Sequence, residues 1–152
     1  MKYIFNIAIV CWLTVLTIMQ FKEEPPPDLI IEWDSSDDFI KEWKASPENM
    51  LRACEYYGVK YPRIVTAQAI LESGYFKSDV FKKHNNPFGM YNPSKNMYYK
   101  FDHWSDAILG YINMVEHKYR GGDYYKFLED LPYATDKEYI NKIKRIESNL
   151  PP

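Results

Sequence analysis

The segment AQAILESGYF, residues 67–76, places a carboxylic acid where a catalytic proton donor would be useful. Helix formers precede Gly74, which breaks helices, so Glu72 falls in the last turn of a predicted helix. The negative end of the helix dipole disfavours a carboxylate there, and the neighbouring Tyr75 and Phe76 can exclude water. Both effects raise a carboxyl pKa. An acid that stays protonated near neutral pH can protonate the leaving oxygen in glycoside cleavage. The alternative is an ordinary exposed glutamate at a helix end, because the tripeptide ESG is common.

Helix signals surround this acid. Ser46 followed by proline begins a predicted helix that ends near Gly58, and Pro62 begins the next one. On that second helix Gln68 and Glu72 are spaced i and i+4, so they share one face. Val65 and Ala69 are predicted to lie on the same face.

The chain between Gly74 and Phe101 loses helical periodicity. Its Pro, Gly, Asn and Ser residues predict loops with at most a small hairpin. Periodicity returns after Ser105, and the apolar stripe there consists of Ile108, Tyr111, Ile112 and Val115. A last helix is predicted to bury Tyr139, Ile143, Ile146 and Leu150. We expect a mainly α fold with about five or six helices around one loop-rich lobe.

The N-terminal segment has a different character. Residues 3–21 carry no charge, and their length is near the lower limit for a membrane-spanning helix. They also resemble the apolar part of a secretory signal. No small-residue cleavage site follows, which favours an uncleaved anchor within residues 1–21, with a cleaved signal peptide as the alternative. A Pro-rich spacer, residues 22–34, then leads to a predicted domain at 35–150. We expect this domain to be exported to the periplasm or cell envelope.

Composition excludes several classes of function. A net charge of −2 argues against nucleic-acid binding. The three histidines, His84, His103 and His117, are scattered and lack partnering thiols, so we expect no metal site and no cofactor. Aromatic residues make up 17 % of the chain, and Tyr98 and Tyr99 in the loop-rich lobe are candidates for stacking on sugars. A chain of 152 residues fits one compact domain, which we expect to be a monomer.

Four sequence blocks, in a fixed order, resemble the glucosaminidase family of peptidoglycan hydrolases. They read AQAILESGYFKS, NNPFGM, YYKFDHWSDAILGYI and YATDKEYINKI, and they span about residues 46–146. This family includes flagellar and autolysin-type endo-β-N-acetylglucosaminidases. The resemblance implies a lysozyme-like helical domain with a short loop or β-hairpin lobe, preceded here by the N-terminal hydrophobic segment.

The resemblance also implies roles for particular residues. It makes Glu72 the general acid and places Tyr133 on the opposite side of the site, so these two are the predicted catalytic residues. It implies that the NNPFGM block shapes the floor of the cleft, and it matches two further residues to the pattern around the acid. The resemblance therefore makes Gln68, Tyr75, Asn86, Phe88 and Gly89 predicted substrate-binding residues, and the stacking candidates Tyr98 and Tyr99 of the loop-rich lobe complete the predicted set.

The chain departs from the family pattern in the lobe that follows NNPFGM. Many members carry a long hairpin with a second carboxylate there, whereas this chain has only a short connection. Asp102 and Asp106 are the nearest acids, and Asp106 is more simply a first-turn residue of a helix. Without a second carboxylate, the 2-acetamido group of the sugar could act as internal nucleophile, or water could attack from the far face. Pro132 also stands where the family usually has glycine.

The expected function is hydrolysis of the β-1,4 bond after N-acetylglucosamine in the glycan strands of peptidoglycan. One alternative is a lytic transglycosylase on the same polymer, whose families usually show a GLMQ-like block where this chain has PFGM. The other alternative is a non-catalytic component that binds glycan or helps to assemble an envelope machine.

Overall fold

The computed structural model describes residues 38–131 and 136–152. Contacts divide the chain into two units, Met1–Asp34 and Ser35–Pro152, and every described residue belongs to the second unit.

Several predictions fall outside the described residues. These are the N-terminal apolar segment 1–21, the spacer 22–34 and the catalytic candidate Tyr133. Within the described residues, no helix is both long enough and apolar enough to span a membrane.

The described part of the chain is mainly helical with one small hairpin, which confirms the predicted lysozyme-like helical fold class. The elements are, in order, α1 (Asp38–Lys41), α2 (Pro47–Tyr56), α3 (Pro62–Glu72), α4 (Asp79–His84), β1 (Tyr91–Asn92), β2 (Met97–Tyr98), α5 (Asp106–Met114), a 3₁₀ helix (Glu116–Lys118), α6 (Tyr124–Glu129) and α7 (Tyr139–Ser148).

The predicted helix starts at prolines are confirmed. Pro47 opens α2, where the Ser46 hydroxyl accepts a hydrogen bond of 3.1 Å from the backbone N–H of Asn49. Pro62 opens α3, which ends at Glu72 with Gly74 in the left-handed region shortly after. Proline is tolerated in the first helical turn because the N–H group that it lacks would have no hydrogen-bond partner there.

Helix α3 is the central element of the core. Every residue in the run Ile64–Ile70 is buried, and α3 packs against both α2 and α7. A helix that is buried all round has no polar face of its own to expose. Glu72 therefore stands at the point where the central helix emerges from the core.

A side chain near the start of α3 fixes the end of α7. The Arg63 guanidinium donates hydrogen bonds to the carbonyl oxygens of Pro151 at 2.7 Å, Glu147 at 3.1 Å and Leu150 at 3.2 Å. These carbonyls lie at a helix C-terminus, where a helix leaves its last acceptors unsatisfied. One cation therefore neutralises that end of α7 and ties it to the central helix.

The loop-rich lobe contains one element that the sequence pattern did not predict. Helix α4 is a single short helix, capped by the Ser78 hydroxyl, which accepts from the N–H of Phe81 at 3.1 Å. It ends at Asn85, whose φ of +50° is left-handed. The predicted small hairpin is confirmed, with Tyr91 opposite Tyr98 in an antiparallel pair. None of the residues of α4 is buried, which explains why it shows no apolar stripe.

Candidate active site

Glu72 is the last residue of α3 and its side chain is half-buried. Burial raises the pKa of this carboxyl above its ordinary value, because the ionised form loses water. A hydrogen bond from the Tyr139 hydroxyl acts in the opposite direction and lowers the pKa, since it favours the carboxylate. Desolvation is the larger of the two effects, so the site holds a carboxyl that keeps its proton more tightly than a free glutamate.

Tyr139 is the first residue of α7 and is only 5 % exposed. The packing of α7 against α3 brings its ring to the acid. The sequence pattern predicted Tyr139 only as a buried residue of the last helix, and this burial is confirmed. Its additional contact with Glu72 could not be anticipated, because an apolar stripe does not show where a tyrosine hydroxyl points.

Gly89 lies beside the acid. Its φ is +61°, and a Cβ placed on it would lie 3.9 Å from the Oε2 atom of Glu72. The structure therefore places the NNPFGM block next to the carboxyl. Glycine suits this position because it adopts the left-handed conformation freely and leaves the space in front of the acid open.

Asn86 organises the loop that carries Gly89. Its side chain is 1 % exposed, and its amide nitrogen donates to the carbonyls of Met90 at 2.8 Å and Tyr99 at 3.0 Å. Its amide oxygen accepts from the N–H of Met90 at 3.0 Å. Asn86 thus supports the predicted cleft floor from behind, through the backbone, and its amide is already used within the protein.

Gln68 and Phe88 both contact Tyr111 of α5. The Tyr111 hydroxyl donates a hydrogen bond of 2.8 Å to Oε1 of Gln68, and its ring lies 4.6 Å from the ring of Phe88 between centroids. Gln68 is 2 % exposed and Phe88 is 3 % exposed. Both therefore act as scaffold between α3, α5 and the NNPFGM loop, and their predicted contact with substrate stays a prediction.

The aromatic residues predicted to contact substrate lie on the hairpin and on the turn after α3. Tyr98 and Tyr91 are 5.2 Å apart between ring centroids, in an edge-to-face arrangement, and both are exposed. Tyr99 is half-buried, and its N–H bonds the carbonyl of Met90 at 3.1 Å. Tyr75, three residues after the acid, is the most exposed of them at 58 %.

The described acids of the loop-rich lobe lie either in the first turn of a helix or exposed on the surface. Asp106 lies in the first turn of α5, as predicted, and its Oδ2 accepts from the N–H of His103 at 2.9 Å. Asp79 lies in the first turn of α4 and forms an exposed ion pair of 3.7 Å with Lys83. Asp102 is exposed. A backbone hydrogen bond at a helix start accounts for Asp106, and a place in the first turn of α4 with an exposed ion pair to Lys83 accounts for Asp79.

The described residues include groups that are suited to acid catalysis. In residues 38–131 and 136–152, no group of three or more His, Cys, Asp or Glu side chains is placed to hold a metal ion. The described residues bring together a carboxyl with a raised pKa, the Tyr139 hydroxyl that partly offsets this shift, and a glycine beside the carboxyl.

The comparisons with known proteins agree with this chemistry. The model of the family Glucosaminidase, described as mannosyl-glycoprotein endo-β-N-acetylglucosaminidase, matches residues 48–150. No curated protein and no solved structure shows a significant match. Since the family model covers most of the chain, the chain belongs to the glucosaminidase family. Membership indicates a glycoside hydrolase that acts on peptidoglycan glycan.

Proposed function

We propose that this member of the glucosaminidase family hydrolyses the β-1,4 bond after N-acetylglucosamine in peptidoglycan, with Glu72 as the general acid. The observation that carries the proposal is the environment of Glu72. Its carboxyl is half-buried at the end of the central helix, its pKa is raised by desolvation, and it faces the open side of Gly89. A protonated carboxylic acid in such a position can donate to the glycosidic oxygen.

The proton of Glu72 moves to the leaving oxygen and is later replaced by a proton from water. Glu72 gives its proton to the leaving oxygen as the bond from that oxygen to C1 breaks, and the departing sugar leaves with a hydroxyl group. Glu72 is then a carboxylate, and the hydrogen bond from Tyr139 stabilises that form. A water molecule finally supplies the oxygen at C1, and a proton returns to Glu72.

The developing positive charge at C1 has two candidate partners. One is the 2-acetamido oxygen of the sugar itself, and the other is a water molecule activated on the far face. The first candidate is supported by the short hairpin lobe and by the structural surroundings of Asp79 and Asp106. Tyr133, in the last sequence block of the resemblance, is proposed to line the site opposite the acid.

Substrate contacts are proposed for the exposed rings near the acid. Tyr98, on the hairpin that follows Gly89, and Tyr75 present large surfaces on which a pyranose ring could stack. Tyr99 extends the same segment. Asn86 supports the hairpin segment through its hydrogen bond to the carbonyl of Tyr99.

An exported location is proposed on the basis of the sequence. The uncharged segment at residues 3–21 can direct the chain to a membrane and can anchor it there if it is not cleaved. Such a location would place a monomeric domain within reach of peptidoglycan.

The decisive experiment is digestion of purified peptidoglycan sacculi by the wild-type protein and by Glu72→Gln. We expect the variant to keep its fold and its glycan binding and to lose activity by about 10²–10⁴-fold. Glu55→Gln, a change at an exposed residue of α2, is the matched control and should stay fully active. A folded Glu72→Gln variant that keeps more than about a tenth of the activity would remove Glu72 from the acid role.

Mass spectrometry of the products identifies the reaction. New ends with reducing N-acetylglucosamine support the proposal, whereas 1,6-anhydro-N-acetylmuramic acid would show a lytic transglycosylase. A wild-type protein that binds sacculi but releases no fragment would show a non-catalytic glycan-binding component.

A further inference from the structure

The loop-rich lobe, residues 74–101, differs in charge from the rest of the domain. It contains five lysines and one acid, Asp79, so its formal charge is +4, and Asp102, the next acid along the chain, lowers this only to +3. The other described residues carry 12 basic and 14 acidic side chains. The excess positive charge of the described residues therefore lies on the lobe that contributes Gly89 to the site. The five lysines are all exposed, and they are Lys77, Lys82, Lys83, Lys95 and Lys100.

Helix α4 accounts for two of these lysines. Lys82 and Lys83 lie in its last turn, where a cation interacts favourably with the negative end of the helix dipole, and Lys83 also pairs with Asp79 at 3.7 Å. Lys77 lies in a turn and Lys100 in a loop, so the helix dipole does not explain them. Like charges that gather on one lobe repel each other, and this grouping does not stabilise the fold. A negatively charged partner would give the grouping a function.

A backbone hydrogen bond holds Lys77 near the acid. Its N–H donates to the carbonyl oxygen of Ser73 at 3.0 Å, and Ser73 directly follows Glu72 in the chain. Ser73 is fully buried, so this bond ties the turn to the end of the central helix. The backbone of Lys77 is thus fixed close to the acid, while its side chain is exposed to solvent.

A second route along the backbone leads from the acid to Lys100. Gly89 stands beside the carboxyl, with its Cβ position 3.9 Å from the Oε2 atom of Glu72. Met90 follows Gly89, and its carbonyl oxygen accepts from the N–H of Tyr99 at 3.1 Å. Lys100 is the next residue, so the segment that carries it is bonded to the loop beside the acid.

The segment that carries Lys100 is also bonded to the end of α4. The N–H of Phe101 donates to the carbonyl oxygen of His84 at 2.9 Å, and the side-chain amide of Asn85 donates to the carbonyl oxygen of Phe101 at 3.0 Å. Lys100 precedes Phe101 in the chain, and Lys83 precedes His84. These bonds therefore bring together the backbone of lysines that are 17 positions apart in the sequence.

We propose that the loop-rich lobe is an anion-binding surface, to which Lys77 and Lys100 contribute, and that it binds the carboxylates of the peptides attached to the glycan strand. Peptidoglycan strands carry peptides with free carboxylates at regular intervals, whereas chitin, a polymer of N-acetylglucosamine, is neutral. The inference rests on the proposed function and adds that the substrate class is the peptide-bearing strand. Complementary charge beside the acid attracts such strands and selects them over neutral glycans.

Charge reversal at two positions tests the proposal. The double variant Lys77→Glu/Lys100→Glu is made in the full-length protein that also carries Glu72→Gln, so that ligands are bound but not cleaved. In about 0.1 M salt, binding to sacculi freed of other wall polymers should weaken at least about fivefold, because two attractions become repulsions. In about 1 M salt the loss should shrink to less than about twofold, since the screening length falls from about 10 Å to about 3 Å. Co-sedimentation with the sacculi measures both values.

Lys44→Glu/Lys118→Glu is the matched control. Both residues are exposed and lie outside the lobe, so the net charge changes equally while the lobe keeps its lysines. This variant should bind sacculi within about twofold of the parent protein. Thermal unfolding checks that both double variants are folded. If the reversed lobe variant does not fold, Lys77→Gln/Lys100→Gln takes its place, with an expected loss of at least about twofold.

Two further ligands identify the group that the lysines bind. A chitin oligosaccharide carries no carboxylate, so calorimetry should give both double variants a dissociation constant within about twofold of the parent value. An amidase that cuts between glycan and peptide leaves one lactyl carboxylate on each muramic acid residue and removes the peptide carboxylates. The loss caused by Lys77→Glu/Lys100→Glu should be smaller on these peptide-free strands than on intact sacculi. A loss that stays as large would overturn the assignment to the peptides.

The remaining outcomes also decide. Unchanged binding of Lys77→Glu/Lys100→Glu to intact sacculi would overturn the anion-binding surface, and an equal loss in the control variant would do the same. Weaker chitin binding in the lobe variant would show a disturbed glycan site and would also overturn it. Failure of the proposed function gives a different result, because a wild-type protein that releases no fragment but binds sacculi through these lysines would keep the surface and lose the hydrolase.

Discussion

Gly89 and Glu72 face each other at 3.9 Å, measured from the position that a Cβ on Gly89 would occupy to the Oε2 atom of Glu72. The contact joins the end of the central helix to the loop that Asn86 organises. The φ of +61° favours glycine at this position, and an added Cβ would stand in ordinary van der Waals contact with the carboxyl. The surroundings of the Glu72 carboxyl therefore depend on Gly89, a residue without a side chain.

Gly89→Ala tests this dependence. Alanine in the left-handed region costs about 1–2 kcal/mol, so the variant should be less stable than the wild type. Its methyl group would also stand beside Glu72, so we expect activity on peptidoglycan to fall more than the loss of stability explains. Tm and turnover are measured on the same preparation.

Gly58→Ala is the matched control for this change. Gly58 has a φ of +72°, and no atom lies within 4 Å of its Cβ position. It should show a similar loss of stability and keep its activity. Equal activity in the two alanine variants would mean that Gly89 serves only the backbone.

The stability of Glu72→Gln relative to the wild type should increase as the pH rises. The unfolded chain loses the Glu72 proton near pH 4.3, whereas the folded protein keeps it to a higher pH because burial raises the pKa. The stability contributed by the protonated carboxyl is therefore lost as the pH rises from about 4.3 through the raised folded-state pKa. Glutamine does not titrate, so the Tm difference in favour of the variant should grow across this window and then level off.

Thermal unfolding at a series of pH values between 3.5 and 8 (in steps of about half a unit) measures this difference. The Tm difference between the two proteins at pH 3.5 serves as the internal reference, since the glutamic acid and the glutamine at position 72 are both neutral at that pH. A Tm difference that shrinks as the pH rises would mean that the folded protein prefers the Glu72 carboxylate.

Tyr139→Phe should move the pH dependence of catalysis. Its hydroxyl lowers the pKa of Glu72 by hydrogen bonding to the carboxylate, so its removal should raise that pKa further. The basic limb of the pH profile of kcat/KM reports the acid of the free enzyme and should shift to higher pH. A profile that keeps its position, or moves to lower pH, would show that the hydroxyl does not act on Glu72.

Asp106→Ala should lower the stability of the protein and leave its turnover of peptidoglycan unchanged. Its carboxylate accepts a backbone hydrogen bond from His103 in the first turn of α5, and such a contact is worth about 1 kcal/mol. Asp79→Ala and Asp102→Ala change exposed residues and should have smaller effects on the Tm. Turnover of the three folded variants on peptidoglycan is the measurement. A loss of a thousandfold or more in any of them would restore a mechanism with two carboxylates.

Much of the local structure could be predicted from the sequence. The prolines that open α2 and α3, the end of α3 at Glu72 and the small hairpin are all encoded in neighbouring residues. The direction of the pKa shift of Glu72 was also predicted from its place at a helix end, although Tyr75, one of the residues expected to exclude water, is 58 % exposed.

The rest depends on contacts between distant parts of the chain or on conformations that residue type disfavours. The hydrogen bond between Tyr111 and Gln68 and the contact of Tyr139 with Glu72 arise only when α5 and α7 pack on α3. Two left-handed aromatic residues after Gly74 contradict their intrinsic preference, so no propensity could predict them. Helix α4 was missed because it lacks a buried face.

The three hydrogen bonds of Arg63 also bear on how the domain forms during synthesis. They join residues that are 84 to 88 positions apart along the chain. A ribosome therefore delivers the central helix long before the carbonyls that secure it, and the acid-bearing helix lacks this anchor until residues 147–151 have been synthesised. Contacts at such separation form slowly, because a long loop must close before they contribute. During that period the helix that carries Glu72 lacks its anchor and is more accessible to chaperones than in the complete fold.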